Sequence, residues 1–387
     1  MNIAFYGGSF NPPHLGHVEA AKTVVRQLRP DKLLIIPDRI PPHKDMAEGS
    51  PGAEERLELC RLAFRDVPGA VVSDLELRRE GKSYTADTVE QLQKQYPGDA
   101  LFMVMGTDML MSFEEWYRFE FLLHACTLTV LAREELEGEE LRRQADYLRQ
   151  SYGARVLLLA HEPLPMSSSE IREGLKRRLC ADQLDDQVYS EIIRRGYYDA
   201  LPELGWLREK AYAFLDERRI AHVAGCESEA VLLAMHWGEE PEKAATAGIL
   251  HDITKKLGES DQLNLCRKYG IMCDNAELQN PKLLHAKTGA ALAKDLFGVS
   301  DEVVEAIRWH TTGKPDMTLL EKIIYLADYI EPTRDFPGVD KLRQLCYEDL
   351  DAAMALGLGM SLEEIRSRGA EAYQDTVEAY RWYSQNR

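Results

Sequence analysis

The chain has 387 residues, which is long enough for two domains with separate hydrophobic cores. Its 65 aspartates and glutamates outnumber 47 lysines and arginines, and a net charge of −18 argues against a general nucleic-acid or anionic-membrane binder. No apolar run approaches the roughly 18 residues that span a membrane. The N-terminus lacks a signal-peptide pattern, and the seven scattered cysteines suit reduced thiols, so we expect a cytoplasmic protein.

In the first half of the chain, short apolar runs alternate with amphipathic stretches. Six runs are apolar nearly throughout, as strands covered on both faces tend to be: Ile3–Tyr6, Lys32–Ile36, Val71–Leu75, Leu101–Met105, Thr127–Leu131 and Val156–Ala160. Helical patterns separate several of them, at Val18–Leu28, Glu54–Phe64 and Ala86–Gln95. This alternation predicts an α/β doubly wound parallel sheet, with ligands outside the carboxyl ends of its strands.

The second half of the chain has only helical periodicity. Its clearest helical patterns are Leu207–Arg219, Glu227–His236, Glu242–His251, Ala286–Leu296, Asp301–His310 and Leu319–Ile330. The change of pattern falls near residues 197–202. We therefore predict an α/β domain over residues 1–198 and an all-α domain over residues 203–387.

A glycine- and histidine-rich segment, Gly7–His17, follows the first predicted strand and leads into a helix. Glycines let the backbone approach a ligand closely, and a helix N-terminus offers unpaired N–H groups to phosphate. His14 and His17 are three residues apart and share a face in a first helical turn, which suits a phosphate that gains charge in a transition state. Histidines that only cap or pack the loop are the alternative.

A second motif, Ser167–Arg172, follows the last predicted strand. Ser-x-x-Glu at a helix start is a capping box. The same segment also suits a second phosphate site, with hydroxyls, free N–H groups and the Arg172 guanidinium.

Together these motifs resemble the H-x-G-H nucleotidyltransferases, and more narrowly the nicotinate-nucleotide adenylyltransferases, over about residues 1–198. Further stretches that carry the resemblance are Pro41–Lys44, Ser83–Thr88, Gly106–Asp108 and Trp116. The resemblance implies transfer of AMP from ATP to nicotinate mononucleotide, which yields deamido-NAD and pyrophosphate without a covalent intermediate. Mg²⁺ would accompany ATP. A nicotinamide mononucleotide or phosphopantetheine acceptor is the alternative.

The same resemblance implies site residues. His14 and His17 would hold the ATP triphosphate, while Arg172 and Ser168 would balance charge on the leaving pyrophosphate. The remaining nucleotide contacts would be Gly7, Gly8, Ser9, Phe10, Lys44, Thr85, Asp108 and Trp116, with Trp116 near the pyridine ring. A core aromatic at Trp116 and a solvated loop lysine at Lys44 are the alternatives.

The helical half contains a second set of ligand-type side chains. His251 and Asp252 are adjacent, and His222, His285, His310 and Asp328 lie in or beside other helical patterns. Mixed imidazole and carboxylate ligands suit Fe, Mn, Zn or Co. A lone His-Asp pair is commonly explained by core packing, but this many ligand-type residues in one helical domain favour a metal site.

This ordered set resembles the HD-domain metal phosphohydrolases, and within them the family that splits diadenosine tetraphosphate into two ADP. The resemblance implies that His222, His251, Asp252 and Asp328 bind the principal metal, iron, with Mn or Co as alternatives. His285, His310, Thr311 and Arg334 would face the phosphates or hold a second ion. Asp252 would also orient the attacking water. Action on another nucleotide, or a role as nucleotide sensor, is the alternative.

Overall fold

The structure is a computed structural model that describes residues 1–41, 46–132, 138–273, 277–278, 283–369 and 371–385. The chain divides into two units, Met1–Leu201 and Pro202–Arg387. In this described part of the chain, no helix is both long and apolar enough to cross a lipid bilayer. The cysteines form no disulfide bond there.

A six-stranded parallel sheet forms the centre of the first unit. Its strands are β1 (Asn2–Gly8), β2 (Lys32–Pro37), β3 (Ala70–Val72), β4 (Ala100–Gly106), β5 (Thr127–Ala132) and β6 (Arg155–Ala160). They lie in the order β3-β2-β1-β4-β5-β6, and every neighbouring pair is parallel. The order reverses between β1 and β4, so the loops that follow these two strands diverge and open a crevice. The predicted doubly wound sheet is confirmed.

Helices cover this sheet. They are α1 (Leu15–Leu28), α2 (Ala53–Phe64), α3 (Thr85–Gln95), α4 (Thr107–Met111), α5 (Phe119–Ala125), α6 (Gly138–Tyr152), α7 (Ser168–Leu175) and α8 (Asp186–Arg195). Strand residues such as Ile3, Phe5 and Met103 are buried beneath them. The strand predicted over Val71–Leu75 is wrong beyond Val72: the chain turns after Asp74, and Leu75 is buried by packing rather than by strand pairing.

The described residues of the second unit form helices and the loops that connect them, as predicted. Its helices are α9 (Leu204–Tyr212), α10 (Glu217–Trp237), α11 (Pro241–Leu250), α12 (Glu259–Tyr269), α13 (Leu284–Phe297), α14 (Asp301–Trp309), α15 (Leu319–Ile330), α16 (Val339–Cys346), α17 (Leu350–Ser367) and α18 (Gln374–Gln385). The core of this unit includes the buried face of α15, from Leu320 to Ile330. Helices α10 and α11 approach closely at Gly248, where a Cβ atom would lie only 2.8 Å from the Glu227 Cα atom.

The helix predicted over Leu207–Arg219 is wrong because the chain breaks between α9 and α10. Asp216 ends the break: its side chain accepts a hydrogen bond from the Arg219 N–H at 2.9 Å and so caps the N-terminus of α10. A new helix therefore begins at Glu217, and it carries His222 one turn and a half from its start.

Candidate active sites

In the first unit, the segments that follow β1, β4 and β6 line one cavity of about 570 Å³. Both sequence motifs contribute to it, together with the start of α4. The predicted residues in its wall are Gly7, Gly8, Ser9, Phe10, His14, His17, Asp108, Ser168 and Arg172. The sheet topology thus brings together side chains that are more than 150 positions apart in sequence, as in the pair His14 and Arg172.

The imidazoles of His14 and His17 are stacked, with ring centroids 3.7 Å apart and planes 28° apart. His14 lies just before α1, at its N-cap, and not within the first turn as the spacing predicted. Its backbone N–H donates to the His17 Nδ1 atom at 3.2 Å. In the neutral ring of His17 the proton therefore sits on Nε2. The His14 Nδ1 atom is buried and has no hydrogen-bond partner within the described residues.

Burial disfavours the charged form of both rings. It lowers the pKa of His14 to about 4, and it lowers the pKa of His17 well below the usual value, with a further contribution from His14. Two stacked neutral imidazoles can donate single N–H groups to an anion. Positive charge in the cavity comes instead from Arg172.

The segment Ser167–Arg172 both caps α7 and joins the cavity. Ser167 accepts a hydrogen bond from the Glu170 N–H at 3.2 Å, as a helix cap does. The Ser168 hydroxyl donates to the Pro12 carbonyl at 3.0 Å, and Arg172 donates to the Asn11 carbonyl at 2.7 Å. These contacts hold the guanidinium against the loop that also carries His14.

Phe10, predicted as a nucleotide contact, packs against the ring of His17. It is buried, at 2% exposure, and meets that ring edge-on with ring centroids 5.1 Å apart. Lys44 lies outside the described residues.

A second cavity, of about 200 Å³, adjoins the first through Gly7, Gly8 and Met109. Thr85, at the start of α3, and Trp116 line it, while Asp108 lies on the exposed first turn of α4 in the larger cavity. Thr85, Asp108 and Trp116, which the resemblance implied as nucleotide contacts, are therefore divided between the two cavities. Trp116 packs against Phe113, with ring centroids 5.2 Å apart, so it is both a core aromatic and a cavity wall.

The sequence did not identify Arg56, which ties these walls together. Arg56 is 1% exposed, and its guanidinium donates to the Ser9 carbonyl at 2.6 Å and to the Asp38 carboxylate at 3.0 Å. Ser9 follows β1 and Asp38 follows β2. The sequence signal that could have identified Arg56 was a charged residue on the face of α2 that is otherwise apolar.

In the second unit, four predicted metal ligands converge. The Nε2 atoms of His222 and His251 are 3.4 Å apart. The Oδ1 atom of Asp328 lies 3.1 Å from His222 Nε2. The Oδ2 atom of Asp252 lies 3.7 Å from His222 Nε2 and 3.5 Å from His251 Nε2. Ligand atoms about 2.1 Å from one ion are about 3.0–3.4 Å apart in octahedral or tetrahedral geometry, so this spacing fits a metal.

Asp252 also reaches a second group of ligand atoms. Its Oδ1 atom lies 3.2 Å from His285 Nε2 and 3.7 Å from His310 Nε2, and these two nitrogens are 3.1 Å apart. The same Oδ1 atom is buried and accepts no hydrogen bond of ordinary geometry in the described structure. Asp252 thus stands between two groups of nitrogen and oxygen ligands, which is compatible with the predicted second ion.

Neighbouring groups orient three of the imidazoles. The Nδ1 atom of His251 lies 2.7 Å from the Gly248 carbonyl, and that of His310 lies 2.6 Å from the Ile307 carbonyl. The Nδ1 atom of His222 lies 3.0 Å from the carboxylate of Glu331, which is fully buried. Each acceptor fixes a proton on Nδ1 and leaves Nε2 with a lone pair for a metal. The donor set therefore fits a divalent cation.

The charges of the cluster also suit a cation. Burial would raise the pKa of Asp252, but His251, His285 and His310 hold it well below its usual range. Burial likewise opposes ionisation of Asp328, yet the pKa of Asp328 lies well below normal because the His222 and His251 imidazoles and the Arg334 guanidinium lie close to it. Burial lowers the pKa of His251 to about 4. An ionised Asp252 carboxylate is a good metal ligand.

Cationic and hydroxyl groups surround the cluster. Arg334 bonds the Asp328 carboxylate, and Lys255 Nζ lies 3.0 Å from His285 Nε2. The Thr311 hydroxyl lies 3.2 Å from His310 Nε2. Arg219, which the sequence did not identify, donates to Asp252 Oδ2 at 2.8 Å. Glu331 was also missed, and its position after α15 in the run Asp328–Arg334 was the only sequence signal.

Family comparisons assign each unit separately. The profile of the Cytidylyltransferase-like family matches residues 5–174, and that of the HD domain family matches residues 219–333. A protein of Carboxydothermus hydrogenoformans named probable nicotinate-nucleotide adenylyltransferase is 36% identical over 197 residues, which are 51% of this chain and 97% of the relative.

Two further relatives cover the second unit and the whole chain. A symmetrical bis(5'-nucleosyl)-tetraphosphatase of Bacillus subtilis is 38% identical over 45% of this chain and 96% of its own length. A Mycoplasma pneumoniae protein named probable nicotinate-nucleotide adenylyltransferase/Ap4A hydrolase is 28% identical over 91% of this chain and 97% of its own length. The chain therefore belongs to the nicotinate-nucleotide adenylyltransferase family through its first unit and to the HD-domain family of symmetrical bis(5'-nucleosyl)-tetraphosphatases through its second.

Proposed function

We propose that the chain is a bifunctional enzyme. Its first unit transfers AMP from ATP to nicotinate mononucleotide, and its second hydrolyses diadenosine tetraphosphate to two ADP. The observation that carries the proposal is the presence, in one chain, of two separate sites: the stacked His14–His17 pair beside Arg172, and the two overlapping ligand groups His222–His251–Asp328 and His251–Asp252–His310. The names of relatives of each unit and of the fused relative support it.

In the transfer reaction, a phosphate oxygen of nicotinate mononucleotide attacks the α-phosphorus of ATP, and the bond to pyrophosphate breaks. The nucleophile is already ionised, so the protein needs to position it and to neutralise charge. The His17 Nε2–H and the His14 ring would donate to the triphosphate, and Arg172 would offset charge on the leaving group. Gly7 and Gly8 allow the backbone to approach the nucleotide. Mg²⁺ enters with ATP.

We favour the acid rather than the amide acceptor. Thr85 begins α3 and lines the smaller cavity beside Trp116, so the positive end of a helix lies where a pyridine carboxylate would bind. The same cavity holds the carboxyls of Glu76 and Asp38, which would repel an acid. Both have internal partners: Thr88 donates to Glu76 at 2.6 Å, and Arg56 donates to Asp38.

An acceptor competition experiment tests the first activity. The enzyme is given ATP with equal concentrations of nicotinate mononucleotide, nicotinamide mononucleotide and phosphopantetheine, and the products are separated by anion exchange. We expect deamido-NAD to dominate. If NAD or dephospho-coenzyme A dominates instead, the acceptor is nicotinamide mononucleotide or phosphopantetheine, and the reaction is still adenylyl transfer.

In the second unit, His222, His251, Asp252 and Asp328 would hold the principal metal, which we propose to be iron, with Mn or Co as substitutes. His285 and His310 would hold a second ion or face phosphate. When bound, the metal supplies Lewis-acid charge for phosphoryl hydrolysis. Lys255, Thr311 and Arg334 line the adjoining cavity and would bind phosphate oxygens. The low pKa of Asp252 keeps it charged as a ligand.

Product analysis tests this second activity. The protein is loaded anaerobically with Fe, Mn or Co in turn and given diadenosine tetraphosphate. We expect ADP alone, and its loss in His251→Ala and after removal of the metal by a chelator. AMP with ATP would mean a different cleavage position, and nucleotide binding without turnover would make the unit a sensor.

We also propose that the protein works in the cytoplasm. Its cysteines form no disulfide in the described chain, and ATP is an intracellular substrate.

A further inference from the structure

The metal-ligand cluster opens into a cavity of about 810 Å³ with two kinds of lining. The residues in or beside the cluster carry polar and cationic side chains: Lys255, His310, Thr311, Asp328 and Arg334. The rest of the lining combines carbon-rich side chains with polar and charged residues of α17, and the carbon-rich ones are Phe336, Pro337, Met360, Ile365 and Tyr373. A nucleotide has the same division, with charged phosphates at one end and a flat ring at the other.

An aromatic wall begins directly beside the metal ligands. Tyr329 follows Asp328 on α15, and its ring is stacked on Tyr325 at 5.5 Å with planes 17° apart. Phe336 meets Tyr329 edge-on at 6.1 Å and 88°. Tyr325 is fully buried, and the other two rings are partly buried against the core and line the cavity. Because packing already fixes these rings, they would lose little freedom when a base stacks on them.

Charge sets the direction in which a nucleotide enters. Glu363 and Glu364 also line the cavity, and Arg368, a cation in the same lining, is paired with Glu364. These carboxylates disfavour phosphate there. Arg334 and Lys255 favour phosphate at the cluster.

We propose that Tyr329 and Phe336 form a binding site for the nucleobase of a nucleoside diphosphate unit whose phosphates lie at the metal cluster. The site recognises the base by stacking on these rings. This inference rests on the proposed function for the placement of phosphates, but it concerns binding of the base rather than cleavage.

Equilibrium binding tests the inference independently of turnover. The full chain carrying Arg172→Ala, which disables pyrophosphate binding and the reverse reaction in the first unit, is loaded with Mn²⁺ and freed of excess metal. The affinities for ADP and for inorganic pyrophosphate are then measured by calorimetry. We expect Phe336→Ala to weaken ADP binding by roughly 5- to 150-fold, the range for one base stacked on one aromatic ring, and to leave pyrophosphate binding unchanged.

Two variants separate the lost ring from lost packing. Phe336→Leu keeps apolar bulk and should also weaken ADP selectively, whereas Tyr347→Ala, a partly buried aromatic outside the cavity wall, should change neither affinity. Equal effects of Phe336→Ala on both ligands, or none on ADP, would overturn the inference.

The outcome is distinguishable from failure of the proposed hydrolase. Selective ADP binding without cleavage of diadenosine tetraphosphate would retain the base site and remove the activity. Cleavage without selective ADP binding would retain the hydrolase activity and remove the base site.

Discussion

The stacked histidines of the first unit act through their uncharged forms. The backbone N–H of His14 fixes the tautomer of His17, and burial keeps both rings neutral, with one ring proton each. Arg172 then supplies the positive charge that phosphate transfer requires. This division of roles gives the site a pH dependence that can be measured on one ring.

The His14 ring should not become charged between pH 8 and pH 5.5, because its pKa is lowered to about 4. In ¹³C-histidine NMR spectra its ring signal, assigned by its loss in His14→Asn, should shift only near pH 4. An unfolded histidine titrates at about 6.5, so the folded state binds fewer protons between these values. The first unit should therefore lose stability as the pH falls through that window. A midpoint for His14 near 6.5 would contradict the account.

Glu331 should set the metal affinity of the second unit through His222. Glu331→Gln replaces the charged acceptor of the His222 Nδ1 proton, and loss of such a contact typically lowers metal affinity 10- to 100-fold. Competition with a chelator measures this change. Glu302→Gln, on the exposed side of α14 at 66% exposure, is the matched control and should retain the original affinity. Equal affinities in both variants would show that Glu331 does not position the ligand.

At the level of single residues, the sequence could predict ligands but not the groups that hold them. His222, His251, Asp252 and Asp328 have imidazole and carboxylate side chains, which are the usual ligands of metal sites. Glu331, Arg219 and Arg56 have common charged side chains, and only their contacts in the folded chain reveal their role. Burial of a charge depends on contacts between distant segments, as between Arg56 and the Ser9 carbonyl, and no local pattern encodes it.

At the level of elements, the ends of strands and helices place the chemistry. The residues after β1 and the start of α7 form one wall because parallel strands end at the same edge of a sheet. Hydrophobic periodicity predicted these elements, since a buried face requires it. It failed at the break before α10, where Phe214 and Leu215 continue the apolar pattern and Asp216 alone signals a new helix. It also extended β3 to Leu75, which is buried without strand pairing.

Arg56 should stabilise the first unit by joining α2 to the loops after β1 and β2. Arg56→Met removes the ion pair between Arg56 and the largely buried Asp38 carboxylate, and breaking such a pair typically costs about 3–5 kcal/mol in free energy of unfolding. Arg61→Met on the same helix is the control: Arg61 is 51% exposed, and its pair with Glu58 should contribute less than about 1 kcal/mol. Calorimetry of the full chain measures both, through the transition that ATP shifts. Similar stabilities of the two variants would refute the role of Arg56.

At the scale of the whole molecule, one chain joins two units that contain unrelated chemistry. Each site is built from residues of its own unit, so each should function when the other is disabled. A by-product of the first reaction would be the substrate of the second. Adenylyl transfer onto a second ATP, in place of the proper acceptor, would give diadenosine tetraphosphate and pyrophosphate, and the second unit would remove that by-product. The net charge of −18 repels such polyanions, so local cations such as Arg172 and Arg334 must select them.

The most direct test is one product analysis of three full-length proteins. The original chain, Arg172→Ala and Asp252→Ala are each given Mg²⁺, ATP and nicotinate mononucleotide, and separately diadenosine tetraphosphate after loading with Fe or Mn. We expect the original chain to form both deamido-NAD and ADP, Arg172→Ala to lose deamido-NAD alone, and Asp252→Ala to lose ADP alone. Loss of both products in either folded variant, or of neither, would contradict two independent sites in one chain.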